Sequence, residues 1–338
     1  MAALPEATGV ADFAAGLKVS IFLLAYRNES TIHEALAGAL AQTIPCEIIV
    51  SDDASGDAGY DLAVKAAEHY AGPHKLIVRR NESNQGLCEH INTVAKIASG
   101  EIFVFMAGDD VSYPMRVEAQ LSMFAAEPRF FAVGSTVDDV DSENRTILKP
   151  ATRGLDGVTD QKRLLHYGKL VTLLGASMAL RRELFDRFPP LVGRVEDNML
   201  TLRATLLGEA FGLSAPLLRY RQHDNNLNAW VYSRDGDRAT AFRRRYERTI
   251  AMYREIADDH EKCIAALPDL APEKKRIAEQ LVAMYRIEAD SREAILNLPR
   301  RQWIAPIWRG LNHPGLRRKS AERALKLFLP RRLFGITT

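Results

Sequence analysis

At 338 residues, with 47% hydrophobic side chains, the chain has room for one large domain and an appended region, each with an apolar core. A net charge of +2 excludes a nucleic-acid partner held by overall charge. Three widely spaced cysteines, Cys46, Cys88 and Cys263, make neither a metal motif nor a disulfide framework, which fits a reducing compartment. No basic stretch followed by a long apolar run opens the chain and no apolar segment is long enough to span a bilayer, so a cytoplasmic setting is expected.

Residues 1–16 read as a loose extension. The first strong element is Val19 to Ala25, an apolar run that reads as a buried strand and leads into the polar Tyr26-Arg27-Asn28-Glu29-Ser30. Ser30 or Thr31 can cap a helix carrying Ile32, Leu36, Ala39 and Leu40. Glu47 to Val50 is a second apolar run, closing on Ser51-Asp52-Asp53 and Gly56, and Asp57 can cap a helix carrying Leu62, Ala63, Ala66 and Ala67. A third run, Ile102 to Met106, lies between Gly100 and Gly108 and ends in Asp109-Asp110. Alternating strands and helices make a largely parallel sheet the economical fold. Three strand ends then bring polar groups to one edge, where open α/β sheets bind ligands. Paired aspartates there suit a hard divalent cation that neutralises a diphosphate; a plain polar turn would read the same way.

Further on, Glu196-Asp197 follows a loop from Pro189 to Val195 and precedes Met199, Leu200, Leu202, Leu206 and Leu207 at helical spacing. By itself this is an ordinary acidic helix start. Trp230 to Asp237 is polar and turn-like. Beyond it Phe242, Tyr246, Ile250, Tyr253 and Ile256 predict one amphipathic helix, and 272–298 predicts another with Ile277, Leu281, Tyr285 and Ile287. From Arg301 on, Arg309, Arg317, Arg318, Lys319, Arg323, Lys326, Arg331 and Arg332 meet a single acid, Glu322, and interleave with Trp303, Ile304, Ile307, Trp308, Leu325, Leu327, Phe328, Leu329, Leu333 and Phe334. That pattern suits an interfacial helix on an anionic membrane; a helix packed on its own domain or on a homodimer partner is the alternative.

Six segments in order, VSIFLLAYRNES, EIIVSDDASGD, NQGLCEHINTVAKIASGEIFVFMAGDD, GASMALRRELFD, VEDNMLTLRATLLG and LLRYRQHDNN, resemble the inverting family 2 glycosyltransferases of GT-A fold. The resemblance implies an α/β fold, a Rossmann-like mixed, mostly parallel sheet flanked by helices, over residues 17–229, and a helical C-terminal region over 230–338. It implies a nucleotide-diphospho-sugar donor, with Ala25, Tyr26, Arg27 and Glu29 around the nucleobase and ribose and Asp53 hydrogen-bonded to the base. Asn84 and Gly86 belong to the same donor site. The aspartate motif falls on Ala107-Gly108-Asp109-Asp110, where Ala107 replaces the usual first aspartate. Asp109 and Asp110 remain for ribose and a Mg²⁺ or Mn²⁺ ion, with His223 near the diphosphate or completing the metal site. Ile91-Asn92 stands where many members carry Arg-Asn, so that arginine is absent or supplied elsewhere.

On the acceptor side the resemblance implies a floor of Gly175, Ala176 and Ser177, with Glu196 beside Asp197, the catalytic base. Variable loops, here residues 138–160, would shape the acceptor pocket. The function implied is hexosyl transfer to a hydroxyl of a glycan or lipid-linked acceptor in cell-surface polysaccharide synthesis. The protein would be cytoplasmic, peripheral on the inner face of the membrane. Two alternatives remain open. A sugar-nucleotide nucleotidyltransferase would need a Gly-rich phosphate loop after the first strand, and residues 25–30 contain no glycine. A catalytically silent binding module is suggested by Ala107 and Ile91, against which stands the retention of Asp109, Asp197 and His223.

Overall fold

The structure, a computed structural model, describes residues 17–147, 155–223 and 238–328, excepting the side chains of residues 238, 239 and 242. The N-terminal extension, the 229/230 boundary, the middle of the 138–160 loop and the tail from Leu329 lie outside the described residues. The chain divides into two compact units, 1–160 with 172–222, and 161–171 with 223–338.

The first unit is built on a nine-stranded sheet. Strands β1 (Val19–Ala25), β2 (Glu47–Asp52), β3 (Lys75–Arg80) and β4 (Ile102–Ala107) run parallel in the order β3-β2-β1-β4. Helices α1 (Ile32–Leu40), α2 (Gly59–Glu68) and α3 (Leu87–Ile97) make the crossovers. The central strands read as unbroken apolar runs because both their faces are covered. On one face Ile21, Leu23, Ile48, Val50, Val104 and Met106 join Leu36 of α1 and Leu121 and Phe124 of α4 (Arg116–Ala126) in one core. Alternation turns Phe22, Phe103 and Phe105 to the other face, where the Phe22 ring lies 4.6 Å and 5.5 Å from its two neighbours.

Beyond β4 the sheet becomes mixed. β8 (Ala179–Arg181), followed by the short α6 (Glu183–Asp186), runs antiparallel to β4, and β6 (Phe130–Val140) antiparallel to β8. β9 (Glu209–Arg221) runs parallel to β6 through an irregular register, and β5 (Val111–Ser112) and β7 (Gly157–Thr159) both pair antiparallel with β9. The helix starts differ in detail from the sequence reading. Thr31 precedes α1 but makes no cap; its hydroxyl donates to Gly108 O at 2.8 Å, because the β4 loop passes within reach. Asp57 does accept from Gly59 N at 3.1 Å and also from Glu29 N at 3.1 Å, linking the loops after β1 and β2.

The second unit is helical. α8 (Arg238–Ala265) and α9 (Pro272–Asn297) form a hairpin with Tyr253 and Tyr285 rings 6.0 Å apart, and the short α5 (Gln161–Tyr167) packs on α9. A 3₁₀ turn at 300–303 leads into α10 (Ile304–Leu311) and α11 (Arg317–Lys326). Glu288 of α9 is fully buried; burial alone would raise its pKa, but Arg323 at 2.6 Å, Arg292 at 2.6 Å and Lys319 at 3.5 Å bring it down to about 2. That cluster ties α11 to α9. Part of the tail's apolar set is therefore core: Trp303 and Ile307 are buried against Ala294 and Ile295, rather than offered outward as an interfacial helix requires.

Candidate active site

Parallel pairing sets the donor edge. The register Ala25↔Asp52 and Leu24↔Ala107 brings three strand ends level. Their loops are stitched together by Gly108 N to Leu24 O at 2.8 Å, Asp53 N to Ala25 O at 2.9 Å and Arg27 N to Ser55 Oγ at 2.8 Å. Gly108 is required by space: a Cβ there would lie 2.6 Å from Asn28 Oδ1, which accepts from Tyr26 N at 2.8 Å. Arg27 and Ala54 hold left-handed backbone, φ 58 and 57, at a cost of roughly 1–2 kcal/mol each that the stitched loops offset. Tyr26 is exposed with the Arg27 guanidinium 5.0 Å from its ring centre, so a flat amphipathic surface meets solvent at this edge. Glu29 turns aside and its carboxylate accepts from Ala58 N at 3.3 Å.

Asp53, expected to meet the nucleobase, is also tied into the protein. Its buried carboxylate accepts from Asn81 Nδ2 at 2.6 Å and from the amides of Gln85 and Gly86, both at 2.9 Å. Gly86 precedes α3, so Asp53 fixes the loop that carries the exposed Asn84 and starts that helix. Behind it a buried chain continues through Asn81 to Arg79 at 2.6 Å and to Ser51, which contacts His90 Nε2 at 2.7 Å. Burial holds His90 below the usual histidine range, favouring the neutral ring.

Asp109 and Asp110 are separated by the fold. Asp109 is partly exposed just beyond β4, whereas Asp110 is buried and its Oδ1 accepts from Arg221 N at 2.9 Å. Burial, then the Asp109 charge, pushes the Asp110 carboxyl well above the usual range. Asp110 thus anchors β9 through Oδ1, while its Oδ2 is buried with no hydrogen-bond partner among the described residues. The Arg221 side chain, 3% exposed, donates to Asp109 O at 2.9 Å, Ser142 O at 2.8 Å and Glu34 Oε2 at 2.8 Å, so one guanidinium ties the Asp109 turn to α1 and to the turn after β6. No group of three or more His, Cys, Asp or Glu that could hold a metal occurs among the described residues. The donor set fits a cation held through Asp109 together with phosphate and water oxygens, and does not fit an all-protein cage. His223 follows Gln222 directly after β9 and begins the portion of chain assigned to the second unit.

Glu196 and Asp197 open α7 (Glu196–Leu207). β8 is antiparallel to β4, so the 3₁₀ turn Gly175–Ser177 just before β8 extends past the C-terminal end of β4, and Phe105 N donates to Met178 O at 2.9 Å. A Cβ on Gly175 would stand 2.4 Å from Glu196 Oε1; the glycine lets the carboxylate lie against the turn. Asn92 of α3 grips the preceding loop, donating to Leu191 O at 2.9 Å and accepting from Leu191 N at 3.0 Å. Burial and the Asp197 charge raise Glu196 to about 8, and burial raises Asp197 to about 6 against the pull of hydrogen bonds from Asn198. Both carboxyls are therefore held above the usual carboxylate range, and two adjacent negative charges at this helix start are disfavoured. Ser177 is fully buried, accepting from Ser135 N and donating to Leu174 O, so its hydroxyl holds the 3₁₀ turn against β6. Ala176 is half-buried beside Val137, Leu174, Leu218 and Tyr220. Ile91, standing where an arginine is common, is fully buried in the core. Arg221, Asn92 and Asn81 carry much of this geometry; the only sequence signal for Arg221 and Asn92 was their place inside motifs whose other members drew attention, and Asn81 lies outside all six segments.

A family model described as Glycosyl transferase family 2 matches residues 20–188. Among curated relatives, the UDP-Glc:alpha-D-GlcNAc-diphosphoundecaprenol beta-1,3-glucosyltransferase WfaP of Escherichia coli is 30% identical over 115 residues, 34% of this chain and 44% of that protein. The chain spans 43%, 66% and 44% of the length of three curated relatives, under two thirds of each. Among solved structures, S. aureus TarS 1-349 in complex with UDP-GlcNAc superposes with a TM-score of 0.59 at 19% identity, covering 94% of this chain and 91% of the other. The mannosyltransferase PcManGT of Pyrobaculum calidifontis, in complex with GDP-Man and Mn²⁺, gives 0.51 at 19% identity, covering 94% and 83%. These two likenesses concern the fold, a mixed, mostly parallel sheet flanked by helices.

Proposed function

Because this chain belongs to glycosyl transferase family 2 and has the GT-A fold, we propose that it transfers a hexosyl group, with inversion, from a nucleotide-diphospho-sugar to a hydroxyl of a glycan or lipid-linked acceptor. The observation that carries this reading is one pair of carboxylates, Glu196 and Asp197, held against Gly175 beside the end of β4, where Asp109 also emerges. The nucleoside lies against Tyr26 and Arg27, and Asp53 acts through the Asn84–Gly86 loop. Asp109 would hold a divalent cation together with the donor's diphosphate oxygens, and such a cation would supply charge neutralisation of the leaving group.

Asp197 takes the proton from the acceptor hydroxyl as it attacks the anomeric carbon on the face opposite the diphosphate. Glu196, whose carboxyl is raised by burial and by the Asp197 charge, stands beside the base and contacts the acceptor. His223 is assigned to the diphosphate. The WfaP relative is named for a lipid-linked acceptor, which supports a role in cell-surface polysaccharide synthesis and a peripheral position on the inner face of the membrane.

The test is turnover of a panel of UDP- and GDP-sugars with and without Mn²⁺. Release of nucleotide diphosphate that Asp197→Asn abolishes supports transfer. Binding without release would instead make the chain a silent module, and pyrophosphate-dependent exchange would make it a nucleotidyltransferase.

A further inference from the structure

The charge of this chain is polarised. Residues 300–338 carry ten Lys or Arg against one acid, although the whole chain has 45 against 43. The remainder is therefore net acidic, and the basic pole stands out. α10 and α11 form a hairpin over this pole. Arg300 donates to Leu327 O at 2.9 Å, and Trp303 and Ile307 share a cluster with Ala324 and Leu327. Gly310 meanwhile faces Ser320. The two helices are thus antiparallel, and the start of α10 lies beside the end of α11.

The inner face of the hairpin is consumed by the helical unit's own core. The outer face keeps Ile304, Trp308, Leu325 and Phe328, which are 59%, 65%, 66% and 84% exposed. Ile304, Leu325 and Phe328 share one end, and Trp308 is one turn away. Arg301 is exposed in the 3₁₀ turn that leads into α10, and Arg317 and Arg318 are exposed on α11, with Glu322 engaging Arg318 at 3.3 Å and Asp290 engaging Arg309 of α10 at 2.8 Å. No helix among the described residues is long and apolar enough to cross a membrane.

We propose that this outer face docks on an anionic lipid surface, with the four apolar side chains entering the headgroup boundary and the arginines meeting lipid phosphates. The inference deepens, and rests on, the reading of a transferase that serves a lipid-linked acceptor. Charge complementarity selects the occupant. An isologous contact with a second copy would press two strongly basic faces together. An anionic bilayer instead attracts each cation and accepts exposed Trp and Phe at its interface.

The test uses the full chain sedimented with vesicles of phosphatidylcholine alone or of phosphatidylcholine with phosphatidylglycerol, alongside tryptophan emission. Binding to the anionic vesicles only, weakened by salt and accompanied by a blue shift, is the expected result. Trp308→Ser with Phe328→Ser removes exposed groups and should weaken vesicle binding by about tenfold or more while leaving nucleotide-sugar turnover in solution unchanged. Equal binding to neutral vesicles, no vesicle binding, or parental binding by the double variant would overturn the proposal. A parent that dimerises through this face, and is made monomeric by the same substitutions without any vesicle binding, would overturn it in favour of a second copy. Vesicle binding by Asp197→Asn should match the parent, so failure of the transferase reading and failure of the docking reading separate cleanly.

Discussion

Replacing Arg221 by Met removes a buried guanidinium while keeping much of its volume. Two carbonyls, Asp109 O at 2.9 Å and Ser142 O at 2.8 Å, lose their donors in a place where the side chain was only 3% exposed. Each unsatisfied carbonyl costs about 1–3 kcal/mol. Glu34, a third exposed, regains water and adds little. Ser142 is exposed, so its carbonyl also regains water, and the total is about 1–3 kcal/mol, which for a unit of this size lowers the melting temperature by very roughly 4–8 °C around the middle of that range. Because the Asp109 turn loses its anchor, affinity for a nucleoside diphosphate with Mn²⁺ should fall further than any loss in folded fraction explains. The assay is denaturant unfolding together with calorimetric titration at a temperature where the variant is folded. Arg221→Lys, which can reach only one of the three acceptors, should fall between variant and parent. An Arg221→Met protein that melts within about 2 °C of the parent and binds nucleotide equally would refute the view that this residue holds the Asp109 turn.

Three further outcomes follow from the carboxylates. Asp197→Asn should lower transfer by about 10²–10⁴-fold, and the parent's rate should rise with pH through about 6 as the base ionises, a limb the variant lacks. Glu196→Gln should change the pH dependence of stability: the folded pKa of Glu196 is raised to about 8, so its contribution is present at low pH and lost as pH rises through 8. The variant, measured by denaturant unfolding at pH 6 and pH 9, should lose less stability across that step than the parent; a parallel loss would mean the carboxyl is not desolvated. Asp109→Ala should abolish the Mn²⁺-dependent part of nucleotide-diphosphate affinity, and parental binding that EDTA leaves untouched would remove the cation from the account.

The strands at the donor edge were legible from residues alone. Val19–Ala25, Glu47–Asp52 and Ile102–Ala107 are apolar runs longer than any turn, and strand–helix alternation leaves few ways to pair them. The two long helices after Arg238 were legible for the same reason, since a repeat of 3.6 residues is written locally. So were the acidic strand ends and the Glu196-Asp197 helix start, because a side chain's position along a strand or helix depends on near neighbours.

Where those side chains point was decided only by the tertiary structure. Asp53 turns to the amides of Gln85 and Gly86, Asp110 to the backbone of β9, and Ser177 to Ser135 and Leu174. Arg221 meets Glu34 across 187 positions of sequence. A buried polar group must find a hydrogen-bond partner, yet the partner on offer depends on which elements pack against it, and no short window of sequence contains both. The same limit hid the split of the C-terminal apolar residues. Trp303 and Trp308 are alike in sequence, but Trp303, closing the 3₁₀ turn, met the core of the helical unit, and Trp308, on α10, met solvent.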